Sequence, residues 1–326
     1  MATLEDKIKS SRTIKDTSLK TYLCALKTLK KLIEPNNKTP LEDTKFLYNF
    51  NNVMKHINNL DKITSKKNKL TAILVALNSD DKKNDKLIEK YSNVLKKLTD
   101  QYNEFLKTQT KTETQKQNWI TYDELIDVIN ELMDEIKVRK LKTKKLLTPK
   151  EFDTLQQLVI LRTYLSFPLR NDFADMPVLK KADYNKLSKE EQQEKNYLVI
   201  DSNNKKKFYI SQYKNSKFLG NKILSVPSKL SKVINLWLKF NTSGYYLVKS
   251  DQTTPITPNG ITKFLNKIFM KHKNKKISTS LLRHIIISHL AKDEPTIAEK
   301  EKKEKETENM FLHSSAMNDL YRKVDD

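Results

Sequence analysis

The chain has little glycine and no long apolar run. Only three glycines occur among the 326 residues, Gly220, Gly244 and Gly260. A Walker-type phosphate loop and a dinucleotide-binding fingerprint each need several closely spaced glycines, so nucleotide-driven chemistry is excluded. No apolar stretch approaches the roughly 18 residues that indicate a membrane span, and the first residues lack the apolar core of a signal peptide. We therefore expect a soluble, intracellular protein with no membrane partner.

Cysteine is almost absent as well. The single cysteine, Cys24, excludes an internal disulfide. One cysteine and five scattered histidines also leave no paired-ligand spacing for zinc, so we expect neither a metal nor any other cofactor. Cys24 lies in "LKTYLCALKTLKKL", where its spacing suits the apolar face of a helix. We expect its side chain to belong to the core.

Positive charge is what the chain has in excess. Lysine and arginine number 62 against 40 acidic residues, which gives a formal net charge of +22. A molecule this basic attracts polyanions and resists self-association. Without an apolar segment to insert into a membrane, the expected partner is nucleic acid.

The length and the apolar pattern predict two domains. Four helical patterns occupy the first, at residues 17–34, 46–60, from Ser65 onward, and 85–107. They predict a compact helical domain at 1–110 with basic outer faces. Residues 111–118 are polar and are expected to form a linker. The remaining residues, 119–326, form the second domain.

The second domain is expected to be mixed. Thr121, with Glu124 three residues later, predicts a capped helix, and another helix should follow Pro149. Between residues 196 and 227, three short β-branched or aromatic runs, "NYLVI", "KKFYI" and "KILSVP", predict a small antiparallel sheet. The fold class is therefore mainly α with a small antiparallel β-sheet, an α+β arrangement.

Four side chains of this domain suit the cleavage of a phosphodiester. His313 and Tyr321 lie in "FLHSSAMNDLY", Arg283 lies in "LLRHIIISHL", and Arg170 lies in "FPLRNDFADM". Transesterification needs a nucleophile, donors for the non-bridging phosphate oxygens and an acid for the departing oxygen. Tyr321 can be the nucleophile, and guanidinium forks match phosphate oxygens in bidentate fashion. The set predicts a site for DNA strand breakage and rejoining without a metal.

Arg162 and Arg170 are alternatives for the first of the two arginines. Arg162 lies on the same apolar stretch as Arg170 and could equally be a surface side chain. Arg170 is preferred because it follows "FPL" near a helix end, where Asp172 and Asp175 could orient it.

The acid for the leaving 5′ oxygen is expected on a strand turn. The segment "SQYKNSKFLGNK" offers Lys214 and Lys217, and the residues favour Lys214 only slightly.

The set and order of these residues resemble those of the tyrosine recombinases, the integrase family of phages and mobile elements. "LSFPLRNDFADM" resembles the first-arginine motif and assigns Arg170, and "LLRHIIISHL" resembles the second and assigns Arg283. "FLHSSAMNDLY" resembles the terminal motif and assigns His313 and Tyr321. The resemblance covers nearly the whole chain. The lysine-rich and asparagine-rich style is most similar to integrases of large DNA viruses and their virophages.

The resemblance implies a core-binding domain at 1–110 and a catalytic domain at 119–326 that close around double-stranded DNA. It implies cleavage through a 3′-phosphotyrosyl intermediate at Tyr321, with His313 donating to the same phosphate. It also implies a homotetramer on two duplexes. The lysines expected to contact DNA phosphates are Lys27, Lys30, Lys31, Lys66, Lys67, Lys69 and Lys217.

The chain departs from the family pattern at two places. Ser280 stands where the family usually has a histidine, three residues before Arg283, and the His313 to Tyr321 spacing is one residue shorter than usual. His284 points about 100° away from Arg283 on a helix, so we expect it and His289 to be packing or supporting residues. These departures leave open a recombinase-derived DNA-binding protein without catalysis. A type IB topoisomerase or telomere resolvase, which shares the tyrosine chemistry, is a further alternative.

Overall fold

The computed structural model describes residues 3–37, 41–80 and 83–302. These residues form two compact units. The first contains the described residues up to Thr110 together with residues 295–302, and the second is Lys111–Glu294. Each unit has a hydrophobic core of its own.

The first unit is helical, as expected. Its helices are α1 (Leu4–Ser11), α2 (Asp16–Ile33), α3 (Phe50–Asn58), α4 (Ile63–Asn78) and α5 (Asp85–Lys107), with a 3₁₀ turn at Lys45–Leu47 before α3. Helix α1, which the apolar pattern did not predict, begins at a capping box between Thr3 and Asp6. Helix α4 begins two residues before Ser65, the predicted cap.

The core of the first unit lies between α4 and the helices on either side of it, α2 and α5. Tyr91 of α5 is fully buried there, and its hydroxyl donates to the Leu47 carbonyl at 2.8 Å. The prediction that Cys24 belongs to this core is wrong, because the thiol is exposed. Helix α2 buries Ala25 and Leu26 instead, so the buried stripe runs beside Cys24.

Within the predicted linker at residues 111–118, residues 113–118 are helical. Helix α6 (Glu113–Asn118) begins at a capping box between Thr112 and Gln115. The helix belongs to the second unit, where the Asn118 side chain accepts a 2.8 Å hydrogen bond from the Lys276 amide.

Residues 295–302 also differ from the expected division, because they pack with the first unit. Residues 297–302 are helical. Glu301 pairs with Lys107 at 3.1 Å, and the Ile297 amide donates to the Gln109 side chain at 3.0 Å.

The second unit surrounds one buried helix, α8 (Pro149–Ser166). Its neighbours include α7 (Tyr122–Val138), which starts at the predicted Thr121–Glu124 capping box, and α12 (Ser228–Phe240). The other helices are α9 (Lys181–Tyr184), α10 (Lys189–Glu194), α11 (Ser216–Leu219), α13 (Pro258–Lys273) and α14 (Thr279–Leu290). Most residues of α8 are buried, as its long apolar pattern predicted. The helix therefore holds the chain that follows Ser166 in a defined place.

The three predicted strands are confirmed, and a fourth joins them. They are β2 (Tyr197–Ile200), β3 (Lys206–Ile210) and β4 (Lys222–Ser225), paired antiparallel in that order. The additional strand, β1 (Val178–Lys180), runs parallel to β2 and makes the sheet mixed. With three residues, β1 is too short to show the alternation that identifies a strand in a sequence.

Across the residues described, no helix combines the length and the apolar character needed to span a membrane.

We predict that the start of α8 contributes measurably to stability. The Thr148 hydroxyl accepts from the Glu151 amide, and the Glu151 carboxylate accepts from the Thr148 amide. Thr148→Ala should lower the free energy of unfolding by about 1 kcal/mol, because an amide at the buried helix end loses its acceptor. Denaturant unfolding of the full chain measures the change. Thr114→Ala, at an exposed position within α6, is the control and should change it by less than about 0.5 kcal/mol. Equal effects would contradict the assignment.

Candidate functional site

Two arginines from distant parts of the chain lie close enough beside the end of α8 to influence each other electrostatically. Arg170 lies in the loop that follows this helix, and Arg283 lies on α14. The Nε of Arg283 donates to the Pro168 carbonyl at 2.7 Å, which fixes its guanidinium against the loop that carries Arg170. Burial lowers the pKa of Arg283, and the neighbouring charge of Arg170 lowers it further. The predicted arginine pair is therefore brought together.

A carboxylate lies beside this pair. Asp172 accepts a hydrogen bond from the Arg170 amide at 3.1 Å. Burial raises the pKa of Asp172, while the Arg170 amide and the charges of Arg170 and Arg283 oppose the rise. Asp175, the other predicted partner of Arg170, instead pairs with Lys195 at 3.1 Å. Asp172 is thus the acidic residue whose pKa is affected by the charges of both arginines.

Tyr164, near the end of α8, supports the arginine loop. Its hydroxyl donates to the Arg170 carbonyl at 2.9 Å, and it also interacts with the Thr279 side chain at the start of α14. Burial raises the pKa of Tyr164. A buried phenol that is difficult to ionise and is bonded to the backbone is a poor nucleophile, so we assign Tyr164 a supporting role.

Asn196 joins the arginine loop to the residues that lead into the turn between β3 and β4. Its side chain is buried, and its Nδ2 donates to the carbonyls of Asp172 and Gln212, both at 2.9 Å. Its Oδ1 accepts from the amides of Ser211 and Gln212 at 2.9 and 2.7 Å. Four hydrogen bonds satisfy the whole carboxamide. The sequence analysis missed this residue, because an asparagine before a strand carries no signal of burial.

The turn after Gln212 carries the candidate acids. Lys214 lies in the turn itself, and Lys217 lies on α11, the short helix at its tip. Both side chains are exposed, and neither forms a hydrogen bond or an ion pair with any described residue. Lys214 as the acid and Lys217 as a DNA contact therefore stay predictions.

The two histidines of α14 have different surroundings. His284 is exposed and lines a cleft of about 180 Å³ together with Ser280 and Lys276. His289 stacks on Tyr122 of α7, with ring centroids 3.8 Å apart and planes within 5°. The packing role predicted for His289 agrees with this contact.

Two of the predicted catalytic residues, His313 and Tyr321, lie outside the described residues. Their roles stay predictions. Arg162, the rejected alternative to Arg170, contacts the Met133 sulfur on α7 with its guanidinium.

The lysines predicted to bind DNA in the first unit differ in their environments. Lys69 is turned inward, and its ammonium donates to the Ala25 carbonyl at 2.7 Å, while burial lowers its pKa. This contact joins α4 to α2 and differs from the expected phosphate-binding role, because the ammonium is already bonded. Lys67 lies over the Tyr102 ring at 4.7 Å. The others are exposed or half-exposed: Lys27, Lys30, Lys31 and Lys66.

Among the described residues, no three carboxylate, histidine or cysteine side chains are grouped so that they could hold a metal ion.

We predict that the arginine pair binds a tetrahedral anion. Inorganic sulfate offers oxygens to both guanidinium groups, so at ten times its dissociation constant it should raise the free energy of unfolding by about 1.4 kcal/mol. Thermal unfolding with increasing sulfate measures this. Arg170→Gln and Arg283→Gln should each reduce the sulfate-dependent increase. Arg162→Gln should leave it unchanged, and an equal reduction in that control would indicate nonspecific screening.

The crystal structure of XerA recombinase is similar to this chain with a TM-score of 0.34 and 12% sequence identity, over 99% of this chain and 92% of that one. No family model and no curated protein matches the chain.

Proposed function

We propose that the protein is a site-specific DNA recombinase, an integrase that cleaves and rejoins DNA through a tyrosine. The observation that supports the proposal is that Arg283 bonds to the loop that carries Arg170, and that the charges of both arginines act on Asp172. Two guanidinium groups in one place form a receptor for an oxyanion with more than one charged oxygen, as in a phosphodiester under attack. The net charge of +22 supports DNA as the source of that phosphate.

The proposed reaction needs no external energy source. The phenolic oxygen of Tyr321 attacks the phosphorus, the bond from phosphorus to the 5′ oxygen breaks, and a 3′-phosphotyrosyl bond forms. Lys214 gives a proton to the departing 5′ oxygen, with Lys217 as the alternative. Arg170 and Arg283 bind the non-bridging oxygens, and His313 donates to the same phosphate. A 5′ hydroxyl from a partner strand reverses the step and completes the exchange.

In the proposal, residues 1–110 bind DNA phosphates through lysines, and the second domain contains the chemistry. Four protomers on two duplexes would exchange strands inside a cell, in the manner of the mobile-element and viral integrases that the motifs resemble. No metal takes part, since the arginines supply the positive charge that a metal ion would otherwise bring.

A DNA-binding protein without catalysis is the second candidate. Ser280 favours it, because serine at this position removes the imidazole that the resembled family uses there. A topoisomerase or telomere resolvase shares the tyrosine chemistry and would differ by relaxing supercoils, or sealing ends, without strand exchange.

We predict a covalent adduct that depends on Tyr321. The substrates are nicked duplexes of randomised sequence. Cleavage releases a short fragment from them, so the strand cannot be rejoined and the protein stays bound to its preferred sites. A denaturing gel should resolve the adduct. Tyr321→Phe should abolish the adduct. Arg170→Gln and Arg283→Gln should each reduce its rate by about 10²- to 10³-fold, because one donor to the developing charge is lost.

The control for the nucleophile is Tyr48→Phe, which alters an exposed tyrosine of the first unit and should leave the adduct intact. An adduct that survives Tyr321→Phe would contradict the assignment. Tight DNA binding with no adduct in any variant would favour the non-catalytic candidate.

We also predict which lysines contribute to the salt dependence of duplex binding. Replacing exposed Lys27 or Lys31 with glutamine should reduce the slope of log affinity against log salt by about 0.9 each, since one phosphate contact disappears. Lys69→Gln should leave the slope unchanged and lower stability, because that ammonium is bonded to Ala25. Fluorescence anisotropy over a salt series measures the slopes. A lower slope for Lys69→Gln would show that this lysine contacts DNA.

A further inference from the structure

The turn between β3 and β4 exposes apolar side chains that a folded protein normally buries. Phe218 is 90% exposed, and Leu219 and Ile223 are 56% and 57% exposed. The three lie within six residues of one another. Phe218 and Leu219 occupy the tip, and Ile223 is the second residue of the returning strand, β4. Apolar groups clustered in this way generally mark a surface that binds a partner.

The backbone that presents Phe218 is held in place by hydrogen bonds. The amides of Phe218 and Leu219 both donate to the Asn215 carbonyl at 3.0 Å, and the Gly220 amide donates to the Ser216 carbonyl at 2.9 Å. Gly220 has φ +64, which glycine adopts without strain and which turns the chain back into β4. The Tyr213 hydroxyl closes the turn by donating to the Gly220 carbonyl at 2.6 Å.

The residues around the tip indicate which partner it fits. Lys214, Lys217 and Lys222 are exposed, and they flank Phe218 on both sides in the chain. Three lysines around an apolar tip would repel a second copy of a chain that already carries a net charge of +22. The same arrangement suits duplex DNA, because phosphates pair with the lysines while an apolar wedge enters the base stack.

We propose that Phe218 is a wedge that inserts between base pairs of duplex DNA and distorts the stack near the cleaved bond. The location near the cleaved bond rests on the proposed function, with Lys214 as the acid. Lys214 and Phe218 are four positions apart in the chain, so their Cα atoms are at most about 14 Å apart. The distorted step should therefore lie within a few base pairs of the scissile phosphate. The wedge opens the helix where a strand must leave it.

The test uses full-length protein and a mixed-sequence duplex that carries 2-aminopurine opposite thymine at several positions. Insertion unstacks the neighbouring base and relieves its quenching, so saturating wild-type protein should raise the fluorescence at least about two-fold. Phe218→Ala should abolish the rise and weaken binding about five-fold or more, because the stacking contact is lost. Phe218→Trp keeps a flat aromatic ring and should retain the rise.

Leu146→Ala is the matched control, since Leu146 is 85% exposed and follows Lys144 and Lys145 in the chain. It should leave the rise and the affinity unchanged. An equal fluorescence rise in Phe218→Ala and wild type would overturn the proposal. Loss of self-association in Phe218→Ala, with unchanged DNA binding, would overturn it in favour of a second copy of the chain.

The adduct assay separates this proposal from the proposed function. If the fluorescence rise depends on Phe218 but no Tyr321-dependent adduct forms, the wedge proposal is supported and the recombinase proposal is rejected. If a Tyr321-dependent adduct forms but the fluorescence rise is the same without Phe218, the recombinase proposal is supported and the wedge proposal is rejected.

Discussion

Repulsion between the guanidinium groups of Arg170 and Arg283 is the constraint on which the candidate site depends. Two positive charges gain nothing from meeting unless other groups hold them, and the lowered pKa of Arg283 reflects both its burial and its neighbour. The Pro168 carbonyl fixes the Arg283 side chain, and the carboxylate of Asp172 lies beside both charges. A backbone contact within the protein therefore holds the Arg283 guanidinium in place. Preorganisation of this kind avoids rearranging charged groups during a reaction.

Buried polar side chains attach the arginine loop to the rest of the second unit. Tyr164 bonds the loop to the end of α8, and the carboxamide of Asn196 bonds it to the backbone just before the β3–β4 turn. Removing such a group leaves buried partners without hydrogen bonds, which costs more than the bond itself contributes. The loop and the base of the turn therefore hold a defined position relative to each other. The arginine site and the lysine-bearing turn belong to one hydrogen-bonded framework.

Lysines of similar appearance in the sequence have different uses in the fold. Lys69 bonds the carbonyl of Ala25 and joins two helices, and Lys206 is buried with its ammonium bonded to Asn204. Lys27 and Lys214 are exposed on the surface. An excess of positive charge thus predicts a polyanionic partner. Burial and hydrogen bonding then distinguish the lysines that can bind this partner from those that stabilise the fold.

The sequence by itself determined the helical first unit, the capped start of α7, the helix after Pro149, the three antiparallel strands and the candidacy of Arg170 and Arg283. These features depend on local periodicity, caps and turns, which neighbouring residues specify. Tertiary structure decided that the two arginines meet, that Asp172 rather than Asp175 lies beside them, and that β1 joins the sheet. It also decided the exposure of Cys24 and Phe218 and the burial of Asn196. Contacts between residues far apart in the chain determine these features, so the pattern of neighbouring residues does not predict them.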